Sequence, residues 1–188
     1  MCGGGQVVLG PAFALLGLLV VIPLWAWQTR AASGSASWPL LGALVYLVVL
    51  ISLTFFPLPL PRGHFEARCQ FVHLVPFETI GLALQRGPGS REFALLAGNI
   101  LAFVPVGVLV PLLRPTARPW LTVLAAGVLL SLAVEVGQLL VSLVLGFPYR
   151  EADVDDLIVN TVGAGVGWAV LVVGRRVSRA LASGARLE

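Results

Sequence analysis

The chain has 188 residues, of which 58% are hydrophobic and only 11% are charged, with a formal net charge of +3. A soluble domain carries about a quarter charged residues, because its surface must still meet water. The composition therefore predicts an integral membrane protein whose apolar surface is solvated by lipid. The small positive charge does not indicate a nucleic-acid partner. Two cysteines, Cys2 and Cys69, are too few for a disulfide framework or a cysteine metal site.

Hydropathy along the chain predicts five membrane-spanning helices, each needing about 20 mostly apolar residues. The first apolar run has no basic segment before it and is too long for a signal-peptide core, so we expect a retained helix. Between the second and third runs, the stretch Phe71–Leu84 is amphipathic and is expected at the membrane interface or as a re-entrant element. The expected fold class is therefore all-α, a polytopic membrane helix bundle of about five transmembrane helices plus this interfacial or re-entrant segment. The five runs lie at residues 7–27, 38–58, 93–113, 119–145 and 157–174.

The arginines predict how the chain is oriented in the membrane. Five spans place the termini on opposite sides, with seven arginines on the C-terminal side and five on the other. Every acidic residue except Glu188 lies on or near the second side. Because basic loops are retained in the cytoplasm, we expect the C-terminus there and the loop at 146–156 outside. The short basic tail is expected to be frayed or to lie on the membrane surface.

The last two spans carry a periodic set of polar and small residues. The spacing puts each set on one helix face, and a Glu or Gln facing lipid would cost several kcal/mol. We therefore expect the two faces to meet or to share a cavity, with Asn99 of the third span at the same level of the membrane. Gly163 and Gly167 are expected to allow close helix packing. The two sets are Ser131, Glu135, Gln138 and Ser142 on the fourth span, and Asp153, Asp156, Asn160, Gly163 and Gly167 on the fifth.

The turn between these spans is dense in charge. Asp153 or Asp155 can cap the following helix, where a carboxylate suits the helix dipole. Arg150 can hold another acid through a bidentate pair. Glu151 and the three aspartates exceed what capping requires, so a head-group site or a cation site remains open beside an ion-paired cap. His73, in the long loop, is expected to be solvated or packed.

Four motifs in this order resemble those of the VanZ-like membrane proteins. The match covers about residues 70–173, with one departure at His73, where the family commonly has Asn. The resemblance implies a VanZ-like domain over 70–175, preceded by an N-terminal two-helix region at 1–69 and followed by a basic cytoplasmic tail at 176–188. The motifs are His73-Leu74-Val75-Pro76-Phe77, Asn99 with Phe103, Pro105 and Gly107, Glu135 with Gln138, and Arg150 with Asp153, Asp155, Asp156, Asn160 and Gly163.

The family takes its name from a protein that confers low-level teicoplanin resistance without altered peptidoglycan precursors. The resemblance therefore implies a bacterial cell-envelope role at the outer leaflet, and it leaves the reaction open. One hypothesis is a membrane enzyme acting on a lipid-linked or lipid-anchored envelope substrate by acid/base or metal-assisted chemistry, because no Ser or Cys nucleophile with a partnered His is evident. The other is a non-catalytic module that binds amphiphiles or protein partners. A transporter is less favoured, because no inverted repeat is present.

The candidate site follows from these arguments. Glu135 and Asp156 are the candidate catalytic residues, although Glu135 can instead be a packing residue bonded to Gln138, Asn160 or a backbone carbonyl. In addition to the lipid bilayer itself, the expected partner is a lipid or lipid-linked envelope ligand. No metal ligand or cofactor is assigned. The candidate binding residues are Arg150, Asp153, Asp155, Gln138, Asn160, Asn99, Pro76 and Phe77.

Overall fold

In the computed structural model, residues 37–56, 71–116 and 118–184 are described, and they are almost entirely helical. Four of the helices are long and apolar enough to cross a membrane. This confirms the all-α, multi-pass class. The first predicted span, Cys2 and Cys69 lie outside the described residues. The elements are α1 (Ser37–Phe55), β1 (Val72–His73), α2 (Glu78–Arg86), α3 (Arg91–Leu113), α4 (Pro119–Leu145), β2 (Ala152–Asp153) and α5 (Val154–Gly184).

The limits of the predicted apolar runs are close to those of α3 and α4, whereas α5 is longer than its run. The helix α4 begins and ends at the predicted residues. The helix α3 starts two residues early, because the Ser90 hydroxyl accepts the Phe93 N–H at 3.2 Å and caps its first turn. The helix α5 runs to Gly184, through residues for which a frayed or surface-lying tail was expected.

The predicted amphipathic element is divided in two. Its first part forms the strand β1, and only its second part forms the helix α2. Pro76 disfavours helical backbone at the residue before it, and Phe77 adopts a left-handed conformation with φ of 65°. The helix can therefore begin only at Glu78.

The chain divides into two compact units. The first comprises Met1–Val75 and Leu132–Val154, and the second comprises Pro76–Ser131 and Asp155–Glu188. In the first unit, β1 and β2 pair in parallel, with His73 opposite Asp153. This pairing determines which side chains stand together in that unit.

In the second unit, α3 and α5 approach through glycine. A Cβ placed at Gly163 would overlap the Ile100 carbonyl oxygen, and one at Gly167 would overlap the Val104 carbonyl oxygen. This confirms the close packing predicted for both glycines. Gly107 lies equally close to the backbone of α5.

Candidate functional site

In the first unit, a histidine and an aspartate form the centre of a polar cluster. The register of β1 and β2 places His73 Nδ1 at 3.6 Å from Asp153 Oδ1. The two side chains are 23% and 13% exposed, so solvent reaches both. His73, which was expected to be solvated or packed, is partly exposed and faces a carboxylate.

Glu135, on α4, binds the strand β2. Its side chain is only 7% exposed, and its Oε2 accepts the backbone N–H of Asp153 at 3.0 Å. This backbone amide is a partner that the sequence did not suggest for Glu135.

Gln138 and Tyr149 bind the C-terminal end of α1. Gln138 is 5% exposed, and its Nε2 donates to the Thr54 carbonyl at 3.0 Å. The Tyr149 hydroxyl donates to the Phe55 carbonyl at 2.8 Å. The last carbonyls of a helix have no partner within the helix, so these two side chains satisfy groups that would otherwise be orphaned. Gln138 therefore joins helices.

Arg150 lies next to this helix end and is half-buried. Its carbonyl accepts the buried Ser142 hydroxyl at 3.0 Å, which holds the loop backbone. Its Nη2 lies 3.5 Å from the Leu53 carbonyl, and its Cζ lies 5.9 Å from the centre of the Tyr149 ring. Burial raises the pKa of the Tyr149 hydroxyl above its ordinary value, and the Arg150 charge opposes that shift.

The predicted bidentate pair between Arg150 and an acid of its own loop is not formed. Among the described residues, its guanidinium makes no ion pair with a carboxylate. The reason is geometric, because the aspartates of the loop face other partners: Asp153 faces His73, Asp155 binds the start of α2, and Asp156 binds Asn99.

In the second unit, Asp155 is a buried cap for a helix other than its own. Only 1% of its surface is exposed. Its Oδ1 accepts the Phe77 N–H at 2.6 Å and its Oδ2 accepts the Ile80 N–H at 3.0 Å. These amides begin α2, whose own N-cap residue, Phe77, supplies no side-chain hydrogen bond. Asp153 or Asp155 was expected to cap α5, and the two bonds of Asp155 described here go instead to the start of α2.

Phe77 and Pro76, two of the candidate binding residues, form the turn that Asp155 holds. Phe77 keeps a positive φ of 65°, a strained conformation for a residue with a side chain. Its ring is 65% exposed. Phe77 is thus fixed through its backbone, while its side chain is exposed.

Two asparagines of the second unit join its helices. Asn99 Nδ2 on α3 donates to Asp156 Oδ1 on α5 at 2.6 Å. Asn160 Nδ2 on α5 donates to Ser131 Oγ on α4 at 2.9 Å, and both residues are buried. The Ser131–Asn160 bond confirms that the predicted polar faces of α4 and α5 meet at this pair. In the described part of the chain, the buried Asn160 Oδ1 has no hydrogen-bond partner.

Among residues 37–56, 71–116 and 118–184, no group of three or more His, Cys, Asp or Glu residues stands close enough to hold a metal ion. Sequence reasoning missed His73 as a member of the first cluster. The signal was its place in the first motif, where the family's Asn is also polar, but the partner of that position became visible only from the strand register.

Four apolar helices joined by buried polar side chains define a multi-pass helical membrane protein. A family model described as VanZ/LLP1 matches residues 43–175, so the chain belongs to this family. The matched region begins within α1, further towards the N-terminus than the motifs, and includes the α1 carbonyls that Gln138 and Tyr149 bind. Neither the curated proteins nor the solved structures give a match.

Proposed function

We propose that this VanZ/LLP1 protein binds, and in its enzymatic form acts on, a lipid-linked molecule of the bacterial cell envelope, and that it thereby lowers susceptibility to teicoplanin. In this proposal the loop at 146–156 lies outside the cytoplasmic membrane and the C-terminus lies in the cytoplasm. The polar cluster of the first unit is then open to the outer leaflet. Family membership supports the envelope role.

The observation that carries the proposal is the environment of Arg150. It is a half-buried cation without a carboxylate partner among the described residues, in a loop that contains Glu151, Asp153, Asp155 and Asp156. A guanidinium in such a place fits a phosphate or carboxylate through two parallel hydrogen bonds. An anionic head group on a lipid-linked envelope molecule supplies that chemistry at the membrane surface.

The first unit also contains side chains that can transfer protons. Asp153 and His73 are partly exposed and 3.6 Å apart, and buried Glu135 holds the Asp153 amide. In the enzymatic form of the proposal, Glu135 is the acid/base of the first unit. It binds the Asp153 amide, and the Asp153 carboxylate faces His73. Asp156, the second proposed catalytic residue, is oriented by Asn99 in the second unit.

A second candidate function is a binding module without chemistry. It is favoured by the way the candidate residues use their hydrogen bonds within the protein: Gln138 binds an α1 carbonyl, and Asp155 binds two α2 amides. Such bonds stabilise a fold and leave fewer groups for a reaction. In this form Arg150 still binds an anionic amphiphile, but Glu135 takes no part in proton transfer.

Substitutions of Arg150 test the binding site. Arg150→Gln, Arg150→Lys and a control, Glu151→Gln, are expressed at matched membrane levels in a teicoplanin-susceptible bacterium. We expect Arg150→Gln to return the inhibitory concentration to that of the empty vector, and Arg150→Lys to retain part of the effect as a point charge. Glu151→Gln changes an exposed acid of the same loop and should match the wild type. Full resistance with Arg150→Gln would contradict the head-group role.

Glu135→Gln and Asp156→Asn separate the two forms of the proposal. The Gln oxygen can still accept the Asp153 N–H, so the strand stays in place while the ionisable group is lost. An enzyme should lose resistance with either substitution and still copurify its lipid ligand, as measured by mass spectrometry of the extracted lipids. If both variants keep full resistance, acid/base chemistry at these residues is ruled out and the binding module stands.

Thiol labelling tests the proposed orientation. With Cys2 replaced by Ser, Cys69 is the one remaining thiol of the chain. A membrane-impermeant maleimide should label it in intact cells. Labelling only after lysis would place the loop at 59–92 in the cytoplasm and contradict the outward-facing site.

A further inference from the structure

The C-terminal end of α5 extends beyond the thickness of a bilayer's hydrocarbon core. The helix has 31 residues, or about 46 Å at about 1.5 Å per residue. The hydrocarbon core is about 30 Å thick, and the bilayer with its head groups is about 40–45 Å thick. The apolar run at 157–174 accounts for about 27 Å of this length, close to the thickness of the hydrocarbon core. The turns that follow Gly174 therefore lie at the level of the head groups.

These turns have a basic face and an apolar face. At about 100° per residue, Arg175, Arg176 and Arg179 lie within an arc of about 100°. Val177 and Leu181 lie on the opposite side and are 52% and 71% exposed. The apolar face continues the exposed stripe of the membrane-spanning part, which includes Val166, Val170 and Val173.

The basic face lacks a partner within the described part of the chain. All residues from 173 to 183 are exposed, and α5 has no acidic residue after Asp156. The three arginines form no ion pair among the described residues. They are also not placed to stabilise the helix dipole, because the last turn of α5 contains no basic residue and the dipole effect falls off within one turn.

We propose that Arg175, Arg176 and Arg179 form a binding surface for anionic phospholipid at this end of α5. The depth of the three side chains matches the head groups, and their charge is opposite to that of an acidic lipid. Val177 and Leu181 lie on the other face of these turns, and the long arginine stems let the charged groups reach the phosphates. A second copy of the chain would bring like charges together, which makes lipid the favoured occupant. This surface does not depend on the proposed envelope function.

The test uses the full-length protein in nanodiscs made from mixtures of phosphatidylglycerol and phosphatidylcholine. Native mass spectrometry counts the lipids of each kind that remain bound. Near a membrane surface each arginine contributes about a fivefold preference for acidic lipid, so Arg179→Gln should weaken the phosphatidylglycerol preference about fivefold. The triple Arg→Gln variant should reduce it about 100-fold, and the charge-matched triple Arg→Lys variant should retain it.

Three results would overturn the proposal. One is a triple Gln variant that elutes as the wild type on gel filtration and keeps the wild-type lipid preference. Another is an unchanged preference in the single Arg179→Gln variant, which changes one fully exposed side chain. The third is displacement of the bound phosphatidylglycerol by inorganic phosphate at equal concentration, since this would make the surface a site for free anions. Resistance to teicoplanin is not a readout in this experiment.

Discussion

Replacing Asp155 with Asn should release the start of α2. Asp155 binds two backbone amides, Phe77 N–H and Ile80 N–H, through separate carboxylate oxygens. An amide side chain keeps one acceptor oxygen and turns an NH₂ group towards the other N–H. The substitution therefore removes one charge-assisted hydrogen bond and leaves a donor unsatisfied near a side chain that is 1% exposed.

The magnitude follows from these two bonds. A hydrogen bond to a charged group contributes about 1.5–3 kcal/mol, and an unsatisfied buried donor costs about 1–3 kcal/mol. We expect Asp155→Asn to lower the local opening free energy at the start of α2 by about 2 kcal/mol, and Asp155→Ala, which removes both acceptors, to lower it by about 4 kcal/mol. A change of 2 kcal/mol corresponds to about 30-fold faster amide exchange.

Hydrogen exchange followed by mass spectrometry of the peptide covering Phe77–Arg86 measures this effect in detergent or nanodiscs. The matched control is Glu151→Gln, which removes one negative charge from an exposed side chain of the loop preceding α5. If Asp155→Asn leaves the exchange of α2 unchanged, or if Glu151→Gln accelerates it equally, Asp155 does not cap α2 and the reasoning fails.

Three further outcomes are expected. Gly163→Ala and Gly167→Ala should each destabilise the α3–α5 packing by at least about 1–3 kcal/mol in thermal unfolding, because the new Cβ meets a backbone carbonyl. Gly165→Ala, where the nearest atom is a Leu124 methyl at 3.8 Å, should change stability little. Phe77→Gly should be more stable than Phe77→Ala by about 1 kcal/mol, since only Gly tolerates the positive φ without strain. The pKa of Tyr149 is raised in the folded protein. The neutral hydroxyl therefore contributes fully to the free energy of unfolding below the ordinary pKa of 10.0, and this contribution is lost as the pH rises through the folded pKa. Tyr149→Phe should reduce this loss of stability at alkaline pH.

The sequence was most reliable for the membrane helices. The limits of α4 and the presence of α1, α3 and α5 follow from apolar runs, because a segment surrounded by lipid must be apolar whatever its neighbours are. Hydropathy could not find where α5 ends. The backbone of its last turns remains helical after the apolar run gives way to arginines, since helix hydrogen bonds are local and do not require an apolar surface.

Periodicity also identified the helix faces that carry polar groups. Ser131 and Asn160 were assigned to facing stripes from their spacing alone, and they bond to each other. The partners of the loop acids could not be obtained in this way. Asp155 binds amides of Phe77 and Ile80, which lie far away in the chain, and no local pattern records such a contact.

The sequence by itself determined the class of this protein, its family motifs and the helix faces on which its polar residues lie. Each of these depends on local composition or on the 3.6-residue period of a helix. The tertiary structure alone decided which partner each polar residue takes: His73 faces Asp153 because two short strands pair in one register, Asp155 caps α2, and Arg150 is left without an acid among the described residues. The physical reason is that a buried polar group takes whichever donor or acceptor the packing brings within about 3 Å, and that distance is set by the whole fold.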